Sequence, residues 1–330
     1  MVYIEAKSKD AAFHFSVEEY LMRHYPFNDP VMMIWQAGKC AMLGRNQIAE
    51  AEIDISCAKR EGIQIVRRSS GGGTIFTDAG TLLYTLILPH AERDSLDAAR
   101  EKIAGPVVKA LNALGIPAKL EGRNDILTDG KKVSGIAQYI RHDRICTHGS
   151  LLYDTDLEML TRVLCVDEGK ISSKGLKSVR SRVVNLKEYM PSSCSTYDFW
   201  ALLKENIFSG QTIQEYTLAE QDLAHIDWIY QQRYGNPSWT FEQAPGFSFN
   251  NSKRFAGGKV EVYLDVESGA VSTCSIRGDF LGVIPIRGLE MLLENKRFQY
   301  EAFAKALDGI SLQPYLGNIT NDEFLSCMFG

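Results

Sequence analysis

The 330-residue sequence lacks several features that would assign it to a large class of proteins. No apolar run approaches the roughly 18 residues needed to span a bilayer, and residues 1–10 contain no signal-like apolar core, which predicts a cytoplasmic protein without a membrane partner. Only six histidines occur, none in a His-Glu-x-x-His spacing, so a transition-metal site built by the protein is not expected. The seven cysteines include no Cys-x-x-Cys pair, which favours reduced thiols over a disulfide framework.

The sequence also has no strong excess of charge of one sign and no repeat. Its 36 basic and 41 acidic residues give a net charge of −5, too small to draw the whole molecule to nucleic acid. There is no self-similarity at a period of about 20–50 residues and no low-complexity tract, which excludes solenoids and propellers. At roughly 150 residues per domain, the length predicts two globular domains.

The periodicity of apolar residues predicts an α+β fold with a mixed sheet. Behind Asp10, apolar residues fall at 13, 17, 20 and 21, which is typical of an amphipathic helix. Strands are predicted at 63–67 and 81–88, and a hairpin is predicted around Asp129 and Gly130. Helices are predicted at 95–114 (interrupted at Gly105 and Pro106), 156–164 and 196–207. Strands and helices do not alternate strictly, which argues against a doubly wound parallel sheet.

A change of character near Gln243-Ala244-Pro245-Gly246 predicts the domain boundary. Beyond it, segments 259–265 and 270–276 alternate like strands of a meander, and residues 289–307 are predicted to form a helix. We therefore predict a large domain over residues 1–246 and a small α+β domain over residues 247–330.

The most informative segment reads Arg-Arg-Ser-Ser-Gly-Gly-Gly-Thr-Ile-Phe at residues 67–76. Three glycines after a strand allow backbone N–H groups to approach a ligand closely, and adjacent arginines supply charge suited to phosphate oxygens. The segment is neither a Walker loop nor a dinucleotide fingerprint. A flexible surface turn is the alternative interpretation of the same residues.

A second constellation consists of Gly-Arg-Asn-Asp at 122–125 followed by Gly-Lys-Lys-Val-Ser-Gly at 130–135. Asn124 and Asp125 beside a strand are suited to binding magnesium or a phosphate through it. Lys132 on the facing hairpin could neutralise a carboxylate and a phosphate together. Without further context, these residues are also compatible with a hairpin that carries ordinary solvated charges.

Together with His-Gly-Ser-Leu-Leu at 148–152, these motifs resemble those of the lipoate-protein ligase A family. The likeness includes Arg-Arg-x-Ser-Gly-Gly-Gly at 67–73, Gly-Arg-Asn-Asp at 122–125 and Lys-x-Ser-Gly at 132–135. Gly-Arg-Asn-Gln at 44–47, the stretch 178–186 and Gln-Ala-Pro-Gly-Phe at 243–247 also fit, in the family's order. The resemblance implies a large biotinyl/lipoyl ligase-like domain with a mixed sheet and a small C-terminal α+β domain.

The resemblance implies a two-step reaction that requires ATP and Mg²⁺. Lipoate would first be joined to the α-phosphate of ATP, with release of pyrophosphate, and the lipoyl group would then pass to a lysine of an acceptor protein. The implied acceptors are lipoyl-domain proteins, namely the E2 subunits of 2-oxoacid dehydrogenases and the H protein of glycine cleavage. We expect a monomer that binds no nucleic acid.

The family motif assigns roles to particular residues of this sequence. Lys132 is the implied catalytic residue and would contact both lipoate and ATP. ATP or adenylate contacts are implied for Arg68, Gly73, Thr74, Ile75, Phe76, Asn124 and Asp125. Lipoate contacts are implied for Arg68, Gly73 and His148, and Asp125 is the candidate for meeting magnesium through phosphate. Many members have histidine where this sequence has Thr77, so a polar contact attributed to that position is not carried over.

The stretch 169–187 contains six basic and no acidic residues. On charge alone it is compatible with a solvated surface or an adventitious nucleic-acid patch. In the resembling family this stretch is a mobile loop that closes over the adenylate, which implies that role for Lys174, Arg180 and Arg182. Closure would keep water away from a hydrolysable anhydride.

Three other functions remain open at this point. Cys146 lies two residues before His148 and would be the nucleophile of an octanoyl or lipoyl transferase that uses a thioester. A noncatalytic lipoate or adenylate sensor would keep the pocket without the reaction. A biotin ligase is compatible with the fold alone.

Overall fold

The computed structural model describes residues 1–5, 7–24, 29–47, 49–91, 95–122, 124–164, 182–241, 249–267 and 269–329. Its largest element is an eight-stranded mixed sheet in the order β11-β1-β2-β6-β10-β9-β8-β7. The strands are β1 (Val2–Ile4), β2 (Val31–Trp35), β6 (Thr81–Pro89), β7 (Ala118–Glu121), β8 (Asp125–Thr128), β9 (Lys131–Arg141), β10 (Arg144–Leu152) and β11 (Gln214–Tyr216). Strand β1 runs parallel to both neighbours, and the other neighbouring strands are antiparallel.

A second, three-stranded sheet carries the glycine-rich segment. In it, β3 (Cys40–Leu43) lies between β4 (Gln64–Arg67), which is parallel to it, and β5 (Ile75–Thr77), which is antiparallel. The chain leaves β4 at residue 67 and returns as β5 at residue 75. The loop between them, residues 68–74, therefore crosses the end of β3, next to the turn at residues 44–47. We call residues 68–74 the glycine loop.

Helices cover both faces of the large sheet. The large domain contains α1 (Ala11–His24), α2 (Ala49–Glu52), α3 (Ile55–Arg60), α4 (Leu96–Ala113), α5 (Leu157–Val163), α6 (Thr196–Ile207), α7 (Glu220–Ile229) and α8 (Pro237–Thr240). Apolar side chains of α4 and α6 form one core with the sheet, and those of α1 and α7 form another on the opposite face. The predicted acidic cap of α1 is confirmed, since the Asp10 carboxylate accepts the N–H of Ala12.

The C-terminal part has its own sheet and its own core. Strands β12 (Phe249–Phe255), β13 (Gly258–Glu267) and β14 (Ala270–Gly278) form an antiparallel meander. Helices α9 (Arg287–Leu293), α10 (Tyr300–Ala306), α11 (Gln313–Leu316) and α12 (Asn321–Phe329) pack against it. The predicted boundary at 243–246 lies outside the described residues, so it stays a prediction. In the described ranges, no helix is long and apolar enough to cross a membrane.

The α+β mixed-sheet prediction is confirmed, but two helix predictions are wrong. Helix α4 continues through Pro106, because its buried side chains, including Ile103 and Val107, pack on the sheet and outweigh the lost backbone hydrogen bond. The predicted helix at 289–307 is two helices, α9 and α10. Asn295 between them has φ 62°, a left-handed conformation that cannot continue a helix.

Candidate active site

A pocket of about 740 Å³ lies between the glycine loop, the hairpin of β8 and β9, and the C-terminal domain. The apolar part of its lining, which we call the apolar wall, includes Phe15, Trp35, Met42 and Leu83. The polar part, which we call the polar wall, includes Asn124, Asp125, Lys132 and Arg182, and the glycine loop contributes Arg68, Gly72, Gly73 and Thr74. The pocket can therefore accommodate a long apolar group next to an anionic group.

Arg68 shapes the glycine loop from inside. Its Nη2 donates to the carbonyl oxygens of Gly71 and Gly73 at 2.8 Å, its Nη1 to Met42 O at 2.8 Å, and its Nε to Ser70 Oγ at 3.0 Å. Burial lowers the pKa of the guanidinium to about 10, which leaves it charged at neutral pH. Arg68 lines the pocket as predicted, although the donors named here bind the protein itself; its role as an adenylate contact stays a prediction.

Arg67 faces away from the pocket. Its guanidinium donates to five backbone carbonyls, those of Gly44, Arg45, Gln47, Trp239 and Thr240. It therefore ties the turn at 44–47 to the end of α8. The sequence argument that both adjacent arginines supply charge to a phosphate does not hold for Arg67, because side-chain direction at neighbouring positions depends on the local strand ending.

The hairpin of β8 and β9 places Lys132 in the pocket. Its Nζ lies 2.8 Å from Asp125 Oδ1, and its side chain is 37% exposed. A Cβ at Gly135 would lie 2.9 Å from this Nζ, so the glycine leaves room for the ammonium group. Asn124 fixes the turn through its Nδ2, which donates to Ile136 O at 2.8 Å. In the part of the chain that the structure describes, the ammonium group thus has one carboxylate partner, and its other donors are available to a ligand.

Arg182 lies next to Lys132. The backbone of residues 182–184 pairs with Lys132, whose N–H donates to Arg182 O at 2.8 Å. The Nε and Nη2 atoms of Arg182 are buried and have no hydrogen-bond partner among the described residues. Two buried guanidinium donors with no partner in the described ranges are suited to an anionic ligand. Lys174 and Arg180, predicted with Arg182 as a mobile loop, lie outside the described residues.

His148 lies on β10 between the glycine loop and α1. Its Nε2 is 2.7 Å from Ser70 Oγ, and its Nδ1 is 3.0 Å from Glu18 Oε2. Cys146, on the same face of β10, is fully buried, and burial followed by the charge of Glu18 raises the pKa of its thiol well above the usual range. Ligand atoms of Glu18, Cys146 and His148 lie within 4.8 Å of one another.

The structure brings most of the predicted site residues together. Gly73, Thr74, Ile75, Asn124, Asp125, Lys132 and His148 line the pocket with Arg68, whereas the side chain of Phe76 is buried in the core around β3. Thr77 is also buried and donates to Cys40 O at 3.5 Å.

Sequence reasoning missed Glu18, the apolar wall and the contribution of the C-terminal domain. Arg254, Asp279 and Leu281 line the pocket, and Phe280 O accepts the N–H of Gly72 at 3.0 Å. One available signal was the pair Glu18-Glu19 within an otherwise apolar helix, which indicates carboxylates that need buried partners. Nothing in the sequence pattern indicated that the second domain touches the glycine loop.

Comparisons with family models match both parts of the chain. Residues 10–208 match the lipoyl protein ligase A/B catalytic domain, and residues 244–328 match the bacterial lipoate protein ligase C-terminus. Lipoate-protein ligase LplJ of Bacillus subtilis is 35% identical over 333 residues, which cover 100% of both chains. Lipoate–protein ligase 1 of Staphylococcus aureus is 30% identical over 319 residues, or 97% of each chain.

Solved structures share the fold at lower identity. Plasmodium falciparum LipL1 in complex with lipoate has a TM-score of 0.78 at 20% identity, covering 98% of this chain and 97% of that one. A bi-partite lipoate protein ligase, described with its E2 lipoyl domain from Thermoplasma acidophilum, has a TM-score of 0.66 at 23% identity, covering 75% and 98%. A lipoate-protein ligase A bound with ATP has a TM-score of 0.63 at 22% identity, covering 73% and 98%. With matching domain models and relatives aligned from end to end, the chain belongs to the lipoate-protein ligase family.

Proposed function

We propose that this protein is an ATP-dependent lipoate-protein ligase, which forms lipoyl-adenylate with release of pyrophosphate and transfers the lipoyl group to a lysine of an acceptor protein. The observation that carries the proposal is one pocket whose lining combines the apolar wall with the cations Lys132 and Arg182. The dithiolane and alkyl chain of lipoate suit the wall of Phe15, Trp35, Met42 and Leu83. Its carboxylate would then reach the polar wall, where ATP binds.

In the first step, a carboxylate oxygen attacks the α-phosphate of ATP. Two negatively charged groups must approach each other, so the main requirement is fixed positive charge. Lys132 supplies a mobile ammonium group beside the reacting oxygens, and Arg182 supplies a buried guanidinium with donors to spare. Arg68 holds the glycine loop so that its backbone can approach the phosphates. Binding both substrates side by side also accelerates the reaction, because it holds the reacting groups in the right orientation.

The residues of the polar wall also fit magnesium carried by ATP. Magnesium in ATP sites commonly binds one or two carboxylates together with phosphate oxygens. Asp125 is the carboxylate beside Lys132, and one of its oxygens is engaged by the ammonium group at 2.8 Å. The other oxygen would hold the ion, whose charge would further offset that of the phosphates.

In the second step, the amine of an acceptor lysine attacks the carbonyl carbon of the mixed anhydride, and AMP leaves. Lys132 would stabilise the charge that develops on the carbonyl and phosphate oxygens. We propose lipoyl-domain proteins as acceptors, among them E2 subunits and the glycine-cleavage H protein. The resemblance between this chain and a ligase described with its E2 lipoyl domain supports that choice.

The alternatives have less support from the geometry. A thioester transferase needs a reactive thiolate, but burial disfavours the charged form of Cys146. A noncatalytic sensor would not require a lysine with free donors beside the anion site. For a biotin ligase, the apolar wall would have to accommodate the polar ureido ring of biotin, and competition between biotin and lipoate would reveal this.

The test is to incubate the pure protein with ATP, Mg²⁺, lipoate and an apo lipoyl domain, measuring pyrophosphate and the mass of the acceptor. We expect pyrophosphate in amounts equal to the lipoyl groups gained, and loss of both signals in Lys132→Ala. Lys131→Ala is the matched control, because Lys131 is the exposed neighbour on the same strand and does not line the pocket. Transfer from an acyl thioester without ATP, or no signal from the wild-type protein, would overturn the proposal.

A further inference from the structure

A continuous chain of buried hydrogen bonds links the glycine loop to the large sheet. It runs from Arg68 Nε to Ser70 Oγ at 3.0 Å, from Ser70 to His148 Nε2 at 2.7 Å, and from His148 Nδ1 to Glu18 at 3.0 Å. Thr85 Oγ1 donates to Glu18 Oε1 at 2.6 Å and accepts from Trp35 Nε1 at 3.1 Å. All of these side chains are at least nine-tenths buried.

The direction of each hydrogen bond follows from the groups involved. Arg68 Nε can only donate, so Ser70 Oγ accepts from it and has its own hydrogen available for His148 Nε2. A carboxylate oxygen of Glu18 accepts from the ring nitrogen that faces it, so a ring hydrogen of His148 lies on Nδ1. Each member therefore has a complementary partner, and the chain joins Arg68 to Glu18 through Ser70 and His148.

The register of the large sheet explains why this chain of hydrogen bonds can form. His148 on β10 lies directly opposite Thr85 on β6, and both face α1, which carries Glu18. These are central strands of the largest sheet, with apolar packing on both faces. The hydrogen-bond chain thus connects the glycine loop to two central strands of the large sheet.

At its other end, the hydrogen-bond chain determines how the backbone amides of the glycine loop are oriented. Arg68 holds the carbonyl groups of Gly71 and Gly73. Because the C=O and N–H of a trans peptide point in opposite directions, the N–H groups of Gly72 and Thr74 point away from Arg68. The N–H of Gly72 donates to Phe280 O at 3.0 Å. Thr74 lines the pocket, so movement of Arg68 would change the direction of the Thr74 N–H there.

We propose that Ser70, His148 and Glu18 are positioning residues that hold Arg68, and through it the glycine loop, in the geometry that binds the phosphates of ATP. This inference rests on the proposed function for the identity of the nucleotide. It gives Ser70, His148 and Glu18 an indirect role in nucleotide binding, through the position of Arg68. Ser70 does not itself line the pocket, so it acts through Arg68.

Ser70→Ala tests the proposal by breaking the chain without changing the pocket wall. It leaves Arg68 Nε and His148 Nε2 without the hydroxyl, and removing a hydrogen bond to a charged group predicts a loss of about tenfold in affinity for ATP. Ser16→Ala is the matched control, since Ser16 is equally buried and, among the described residues, its hydroxyl donates to Ala12 O within α1 and to no part of the glycine loop. Calorimetry with a nonhydrolysable ATP analogue gives the affinity without any turnover.

We expect Ser70→Ala to weaken binding of the analogue and raise the KM for ATP about tenfold, while Ser16→Ala does neither and both variants keep similar melting temperatures. Ser70→Thr should restore binding. Equal nucleotide affinity in the two alanine variants, or a change confined to lipoate affinity, would overturn the inference. Absence of lipoate-dependent pyrophosphate from the wild-type protein would instead reject the proposed function, because analogue binding is measured independently.

A double-mutant cycle provides a second test. If the chain acts as a unit, Glu18→Gln and Ser70→Ala each weaken nucleotide binding, and the double variant is little worse than the more affected single variant. Fully additive losses would show that the two residues act separately and would overturn the proposal. The cycle depends on differences between folded variants, so it remains informative if each substitution also lowers stability.

Discussion

The two groups of cations around the pocket use their charge in opposite ways. The guanidiniums of Arg67 and Arg68 are buried and donate mainly to backbone carbonyls, which they hold in a defined arrangement. Lys132 and Arg182 belong to the polar lining of the pocket, where Lys132 has one carboxylate partner and Arg182 has buried donors without partners among the described residues. The first pair builds the site, and the second pair is available to a ligand. Adjacency in a motif therefore does not imply a shared role.

The same substitution at one cation of each group should separate these roles most clearly. Arg67→Met removes five hydrogen bonds to backbone carbonyls, three of them buried and two partly buried, so we expect the free energy of unfolding to fall by about 4 kcal/mol. Lys132→Met removes a partly exposed ion pair and should change stability by less than about 0.5 kcal/mol while abolishing ligase activity. Urea unfolding of both variants is the measurement. Similar stability losses at the two positions would break the comparison.

A substitution at Arg182 tests whether donors without a partner among the described residues indicate a ligand site. Arg182→Gln should raise the KM for ATP at least about tenfold, because a charge-assisted contact to phosphate is lost. Stability should be unchanged or slightly higher, since a buried guanidinium with unsatisfied donors is removed. Arg162→Gln is the control, because Arg162 is an exposed arginine paired with Glu61. An unchanged KM for ATP in steady-state assays would remove Arg182 from the nucleotide site.

His14 extends the comparison of buried groups to one that can gain a charge, because its burial makes the stability of the protein depend on pH. Burial lowers the pKa of His14 to about 4, against about 6.5 when unfolded. Below pH 6.5 the unfolded chain therefore binds more protons than the folded one, and stability falls as the pH is lowered toward 4. From pH 7 to pH 5 the expected loss from this residue is about 2 kcal/mol.

Chemical denaturation at the two pH values, with His14→Gln beside wild type, measures this contribution. The variant should lose less stability on acidification than wild type does. His225→Gln, at an exposed histidine, should leave the wild-type dependence in place. An identical pH dependence in wild type and His14→Gln would show that His14 is not the group responsible.

The smallest expected effect concerns the space around Lys132. A Cβ in Gly135→Ala would lie 2.9 Å from Lys132 Nζ, so the flexible ammonium group must shift. We expect kcat/KM to fall about tenfold with little change in stability, because misplacing a reacting group reduces the rate steeply. Gly105→Ala is the control for activity, because Gly105 lies on α4 outside the pocket lining and its added Cβ would meet no side chain within 4 Å apart from its chain neighbours. Full activity of Gly135→Ala would show that the position of Lys132 is less restricted than the structure indicates.

The local sequence pattern was sufficient to predict several elements of the structure. Helix α6 has the predicted bounds, because Ser195 and Asp198 form a capping box at its start and its apolar residues follow a helical period. Both motifs singled out in the sequence, the glycine loop and the hairpin with Lys132, line one pocket. Helix α4 could not be bounded from sequence, since the packing that offsets Pro106 comes from distant strands.

By itself, the sequence determined the fold class, the family and the loops that carry the chemistry, because these depend on short-range spacing and on backbone freedom at glycine. Only the tertiary structure decided which arginine faces the pocket, which apolar residues form its wall, and that Glu18 is connected to the glycine loop 50 residues later. Hydrogen bonds and burial between distant segments depend on strand register and helix packing. Those relations arise when the chain is folded, and no local pattern contains them.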